Sequence, residues 1–244
     1  MNIKIVSYNI HGLPWQYDND ELICDYLIKS NADILFLQEV FTPLRVSFVI
    51  KILQMTGYKV YLPNDSDIQT LFGSGLMICI HNRLKYKYIC NRFTPYLHYS
   101  NLDMFAAKGF YSIVLYIENS YIRLINTHLQ SDCELNNYTG RLRTSTIRRL
   151  QAQQIIDTYK SSKIPTLIIG DLNEEESLNP WFSYSCCSKC EKLITFPDGE
   201  QNIDHIVWIK NGYEKLHSIS NVYVDNTCSL SDHFPLFADL IYHS

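Results

Sequence analysis

The chain has 244 residues, of which 46% are hydrophobic and 19% charged, with 9 Gly and 8 Pro. That balance excludes a disordered, collagen-like or low-complexity chain, and single α/β domains often reach about 250 residues. Lys and Arg number 21 against 25 Asp and Glu, and the net charge of −4 excludes a global field that draws in nucleic acid or anionic lipid. In chain order, Ile3 to Asn9 (IKIVSYN) reads as a strand. Asp18 to Ser30 reads as a helix, with Leu22, Ile23, Tyr26 and Leu27 at helical spacing. Ile34 to Val40 is a buried strand. Pro43 to Met55 is a helix with Pro in its permissive first turn and Gly57 as its stop. Tyr58 to Leu62, Leu76 to Ile80 and Tyr86 to Asn91 read as strands. So do Phe110 to Ile117 and Ile122 to His128, joined at Glu118-Asn119-Ser120. A helix is predicted from about Arg141 to Tyr159, then strands at Thr166 to Gly170, Ile203 to Ile209, Asn221 to Val224 and Phe234 to Leu240. Hairpins mixed with a few helices predict a layered α/β fold with mixed sheets. No repeat or linker divides it, so one domain over 1–244 is expected.

No apolar run approaches the roughly 20 residues of a membrane span. The N-terminus, MNIKIVSYNIHG, lacks the apolar core of a signal peptide. The expectation is an intracellular protein whose 8 Cys stay reduced. Cys24 and Cys79 sit in apolar runs and read as small core residues. Cys186, Cys187 and Cys190 form a CCSKC cluster without a nearby fourth ligand, which favours a plain loop over structural zinc.

The polar residues that need explaining lie at strand ends. They are Asn9, Gln38-Glu39, Asn126-Thr127-His128, Asp171 and Asn173 after TLIIG, Asp204-His205 and Ser231-Asp232-His233. Buried unpaired, such groups are costly, so they must be satisfied by each other, by water or by a ligand. Each alone reads as a turn residue or a structural hydrogen-bonder. Together they share one theme: carboxylate and amide oxygens suit a hard Mg²⁺ ion, and His with an extra Asp suits acid–base work.

SYNIHGL, LQEVF, NTHLQS, GDLN, IDHI and LSDHFPL resemble the motif series of the endonuclease/exonuclease/phosphatase superfamily, in that family's order, from residue 3 to residue 240. The resemblance implies a four-layer α/β sandwich, two mixed β-sheets packed face to face with helices outside. It implies a Mg²⁺-dependent phosphoric ester hydrolase, with Mn²⁺ as a substitute ion. By matching motif, Glu39 is implied as the primary metal ligand, supported by Asn9, with Asp232 as a further metal-side or supporting carboxylate. Asp171 and Asn173 are implied to hold the nucleophile and a phosphate oxygen. His233 is implied as the base that takes a proton from water, oriented by Asp204. His128 is implied to hydrogen-bond the phosphoryl group or to protonate the leaving oxygen.

Asp103-Met104-Phe105-Ala106-Ala107-Lys108-Gly109 resembles the neutral sphingomyelinase branch, where an Asp and a Lys five apart lie beside the metal site. The resemblance implies roles for Asp103 and Lys108, the latter as a point charge on a phosphate oxygen; the plain alternative is a loop Asp and a solvated Lys. A phospholipid substrate needs a surface that meets lipid by peripheral contact. Tyr86 to Tyr99 (YKYICNRFTPYLHY) and Asn179 to Tyr184 (NPWFSY) offer aromatics, the first with Lys and Arg among them, which suit a membrane interface, base stacking or plain cross-strand pairing. The helix bearing Arg141, Arg143, Arg148 and Arg149 is the main basic patch, and a solvated face is expected for it rather than phosphate contact. His11 stands where several nuclease relatives carry an acidic ligand. The resemblance thus favours a monomeric sphingomyelinase-type phosphodiesterase over a nuclease acting on DNA or RNA, or over an idle relative that binds a partner.

Overall fold

The computed structural model describes residues 1–12, 19–64, 72–100, 103, 105–132, 143–175, 182–184 (backbone), 193–214 and 217–242. The strands are β1 (Asn2–Asn9), β2 (Ile34–Gln38), β3 (Tyr58–Tyr61), β4 (Met77–His81), β5 (Lys87–Pro95), β6 (Gly109–Ile117), β7 (Ser120–His128), β8 (Thr166–Asp171), β9 (Phe182–Tyr184), β10 (Asp204–Ile209), β11 (His217–Val224) and β12 (Leu236–Tyr242). The helices are α1 (Asp20–Lys29), α2 (Pro43–Met55) and α3 (Thr144–Tyr159).

The strands form two six-stranded sheets, in the orders β11-β12-β1-β2-β4-β3 and β5-β6-β7-β8-β10-β9. Each sheet holds one parallel pair, β1 with β2 and β7 with β8, flanked by antiparallel neighbours. Both sheets are therefore mixed.

Period-2 alternation sorts the side chains into layers. Ile3 and Ile5 of β1 join Phe36, Ile78, Ile113, Leu124 and Ile169 in the core between the sheets. Val6 and Tyr8 face the other way and pack with Ile23 and Leu27 of α1 and Val49 and Leu53 of α2. Phe110, Ile125 and Ile168 of the second sheet pack against Ala152, Ile155 and Ile156 of α3. The result is helices, sheet, sheet, helix: the four-layer sandwich.

Buried amides tie the sheets together near the top. Asn126 Nδ2 donates to the carbonyls of Leu37 (2.8 Å) and Met77 (2.9 Å), and its Oδ1 accepts from Gln38 Nε2 at 2.8 Å. Two of the strand-end polar residues are thus struts between sheets.

Some elements differ from expectation. Strand β9 went unpredicted: at three residues it is too short to show a period, and it forms by pairing with Val207–Ile209. Strand β5 runs on to Pro95, an allowed residue because β5 is an edge strand. Strand β11 begins at His217 and carries an irregularity between Ser220 and Tyr223, where Asn221 has φ +49°. Helix α3 starts at Thr144. Arg141, the CCSKC cluster and Asn179 to Trp181 lie outside the described residues. No helix among the described residues is long and apolar enough to cross a membrane.

Candidate active site

The parallel pairs set the site. In register, Asn9 lies opposite Gln38 at the C-terminal ends of β1 and β2, and His128 lies opposite Asp171 at the ends of β7 and β8. Asp204 opens the antiparallel β10 directly across from Asp171. Strand β12 runs antiparallel to β1, so His233, just before β12, arrives at the same end.

The side chains converge there. Asn9 Nδ2 lies 3.1 Å from Glu39 Oε1, 3.0 Å from Asp171 Oδ2 and 3.5 Å from His233 Nε2. His128 Nε2 lies 3.4 Å from Asp171 Oδ2, and its Nδ1 lies 3.9 Å from Glu39 Oε1. His233 Nδ1 donates to Asp204 Oδ2 at 2.8 Å, leaving Nε2 3.7 Å from Asp171 Oδ2. Asp232 Oδ2 meets His11 Nδ1 at 2.7 Å. Glu39, His128, Asp171, Asn173, Asp232 and His233 share a cavity of about 440 Å³.

The backbone is unusual where these groups sit. His11, Glu39 and Asn173 have φ of +48°, +58° and +51°. Non-glycine residues in this region cost energy and cluster at functional sites. Gly170 has φ +146°, and a Cβ there would lie 2.0 Å from Thr127 O. That glycine lets β8 close on β7 immediately before Asp171.

Burial and charge then set protonation. Burial, then the charge of Asp204, pushes Asp171 up to about 7 against the pull of His233 and Asn9. For His233, burial opposes charge, but Asp204, Asp171 and the Asp204 hydrogen bond push it up to about 10. His128 is driven well below its ordinary value by burial, then by Lys108 and His233. It is a neutral ring, suited to donating a hydrogen bond. Asp232 sits below the usual carboxylate range despite its burial, held there by the His11 hydrogen bond.

A divalent cation fits Glu39. Its Oε1 is engaged by Asn9, whereas Oε2 is buried and has no hydrogen-bond partner. Donor atoms of Asp171, Asp204 and His233 also lie within 4.8 Å of one another. That trio is already bridged by the His233–Asp204 hydrogen bond, so the open carboxylate oxygen of Glu39 is the better anchor for an ion.

Asp103 and Lys108 meet: Lys108 Nζ lies 3.6 Å from Asp103 Oδ1. Lys108 is not solvated; its ammonium is buried and donates to Leu129 O at 3.1 Å. It does not line the cavity, and Asn173 Nδ2 donates to the same carbonyl at 3.2 Å. Tyr86 and Tyr88 belong to the sandwich edge, where the Tyr86 and Tyr61 hydroxyls lie 2.8 Å apart and Tyr88 stacks on Tyr61 at 5.3 Å.

The expected solvated arginine face is corrected at one position. Arg148 is buried and lines the cavity, while Arg143 and Arg149 are exposed. The reason is phase: Arg148 falls on the buried stripe with Gln151, Ala152 and Ile155. Glu174, Ser131 and Phe196 also line the cavity and were not singled out by sequence. The spacing of Arg148 to Ala152 and Ile155 is the signal that could have marked the arginine.

Residues 6–233 match the Endonuclease/Exonuclease/phosphatase family. The chain belongs to that family. No curated protein sequence matches it significantly. Among solved structures it is similar to sphingomyelinase C from Streptomyces griseocarneus (15% identity, 98% and 99% of the two chains, TM-score 0.72). It is similar to a mutant beta toxin from Staphylococcus aureus with bound magnesium ions (18%, 100% and 100%, 0.73). It is also similar to D. rerio TDP2 complexed with a single-strand DNA product (16%, 98% and 98%, 0.75). These likenesses show the fold, and members of the family are metal-dependent phosphodiester hydrolases.

Proposed function

We propose that this chain is a Mg²⁺-dependent phosphodiesterase of sphingomyelinase type, hydrolysing sphingomyelin to ceramide and phosphocholine. The observation that carries the branch is the Asp103–Lys108 ion pair, half-buried at Asp103 and buried at Lys108, whose ammonium also donates to the carbonyl of Leu129, the residue after His128. Glu39 would hold the ion, oriented by the Asn9 amide, whose Nδ2 donates to Glu39 Oε1 while its Oδ1 accepts from His11 N, with Asp232 nearby, and a bound Mg²⁺ supplies neutralisation of phosphoryl charge. Mn²⁺ offers the same oxygen-seeking chemistry.

In its neutral form His233 takes the proton of the attacking water at Nε2, because Nδ1 is occupied by Asp204. Asp204 fixes the ring and stabilises its charged form. Neutral His128 and the Asn173 amide hydrogen-bond the phosphoryl oxygens, and Asp171 orients the water from between the two imidazoles. Lys108 acts on the site through Leu129 and its charge on His128, rather than by touching phosphate.

Substrate is met by peripheral contact with a phospholipid surface. Leu97 and Tyr99, 77% and 54% exposed, follow β5 on a stretch bonded to Gln130 through Ser100. The likeness to TDP2 with its DNA product favours a second reading, a nuclease with the same chemistry. Phosphocholine release from sphingomyelin in mixed micelles, with Mg²⁺ or EDTA and beside supercoiled plasmid, tests the two. Release without plasmid nicking supports the first; nicking without release supports the second.

A further inference from the structure

The segment after His128, Leu129 to Asp132, has no regular structure, yet it is gripped from several elements. Leu129 N donates to Asp171 O at 2.9 Å. Gln130 N donates to Gln151 Oε1 at 2.8 Å, and Ser131 N donates to Asp103 Oδ2 at 3.1 Å. Arg148 Nη1 donates to Gln130 O at 3.2 Å.

The same guanidinium forks onto Asp132, with Nη1 to Oδ1 at 2.8 Å and Nη2 to Oδ2 at 3.3 Å. Its Nε donates to Glu174 Oε2 at 3.2 Å. Glu174 directly follows Asn173, and its carbonyl lies 2.7 Å from His205 Nε2. Four of the five guanidinium N–H groups are therefore engaged within the protein. Arg148 is also the one Lys or Arg among the described residues that line the cavity, whose walls carry Glu39, Asp132, Asp171, Glu174, Glu175 and Asp232.

We propose that Arg148 is a positioning residue of the active site. It ties the segment that follows His128 to the loop that follows Asp171 and carries Asn173. It also cancels the charge of Asp132 and Glu174 on a wall that faces an anionic substrate. The proposal rests on the phosphodiesterase reading above. A planar fork is needed because one ammonium cannot span both carboxylates and the Gln130 carbonyl. Misplacing reacting groups by about 1 Å costs on the order of 10²-fold in rate.

The test uses the full chain with saturating Mg²⁺ and bis(p-nitrophenyl) phosphate as a diester that needs no lipid surface. The readouts are kcat, KM and the melting temperature of each variant. Arg148→Met should lower kcat by roughly 10- to 100-fold and raise KM, with assays run well below its melting point. Adding Asp132→Asn and Glu174→Gln removes the exposed charges but does not restore the missing tie. That triple variant should regain KM and not kcat. Arg148→Lys should recover only a small part of kcat. If Arg148→Met does not fold, Arg148→Lys and the Asp132→Asn/Glu174→Gln double variant, each expected to lose kcat, carry the comparison. Wild-type kcat in Arg148→Met, or full kcat in the triple variant, overturns the proposal. A wild-type protein inactive on this diester, on sphingomyelin and on DNA overturns instead the phosphodiesterase reading and, with it, the proposal.

Discussion

His233 and Asp204 are joined at 2.8 Å, Nδ1 to Oδ2, and both are buried. The bond leaves Nε2 as the only ring nitrogen that can face water. His233→Ala should lower turnover by at least about 10²-fold with little change in melting temperature, as removal of a general base does. Asp204 is the main charge raising His233. Asp204→Asn should therefore move the rising limb of kcat/KM to lower pH while reducing the plateau. A pH profile in Mg²⁺ reads both.

The same groups tie stability to pH in the metal-free protein. Asp171 and His233 both have folded-state values above their ordinary ones, about 7 against 3.8 and about 10 against 6.5. The folded protein therefore binds more protons than the unfolded chain across that span, and stability falls as pH rises. The Asp171 contribution is complete below about 3.8 and lost through about 7; that of His233 is complete below about 6.5 and lost through about 10. Urea midpoints in EDTA at pH 6 and pH 9 should fall more for wild type than for His233→Gln.

Glu39 holds a buried carboxylate oxygen without a partner, on a residue at φ +58°. A bound divalent ion stabilises the folded state by mass action. Millimolar Mg²⁺ should raise the wild-type melting temperature and EDTA should reverse it. Glu39→Gln should abolish the shift while leaving the far-ultraviolet circular dichroism unchanged.

Asn126 bridges the sheets through Leu37 O, Met77 O and Gln38. Asn126→Ala leaves buried carbonyls unpaired, each costing about 1–3 kcal/mol. Denaturant unfolding should show a loss of about 3 kcal/mol. Turnover per folded molecule should change far less than in His233→Ala.

The layering and the site were legible for different reasons. Odd and even residues of β1 pack on opposite layers, and that alternation is written in IKIVSYN. Strand-end polar residues marked the top of the sandwich, but not their separate roles. Gln38 and Asn126 look like Glu39 and His128 in sequence, and only the distance between the sheets makes them struts. Asp103 and Lys108 were legible as a motif, whereas their meeting and the burial of Lys108 onto Leu129 O depend on the packing of β6 beside β7. Arg148 was misread because arginines close in sequence suggest one solvated patch, while helical phase separates buried Arg148 from exposed Arg149.

Phosphocholine release from sphingomyelin micelles, in Mg²⁺ and in EDTA, tests the central claim most directly. Release that requires Mg²⁺ and is lost in both Glu39→Gln and His233→Ala is the result predicted. No release by the wild-type protein in Mg²⁺, or undiminished release by His233→Ala, would contradict it.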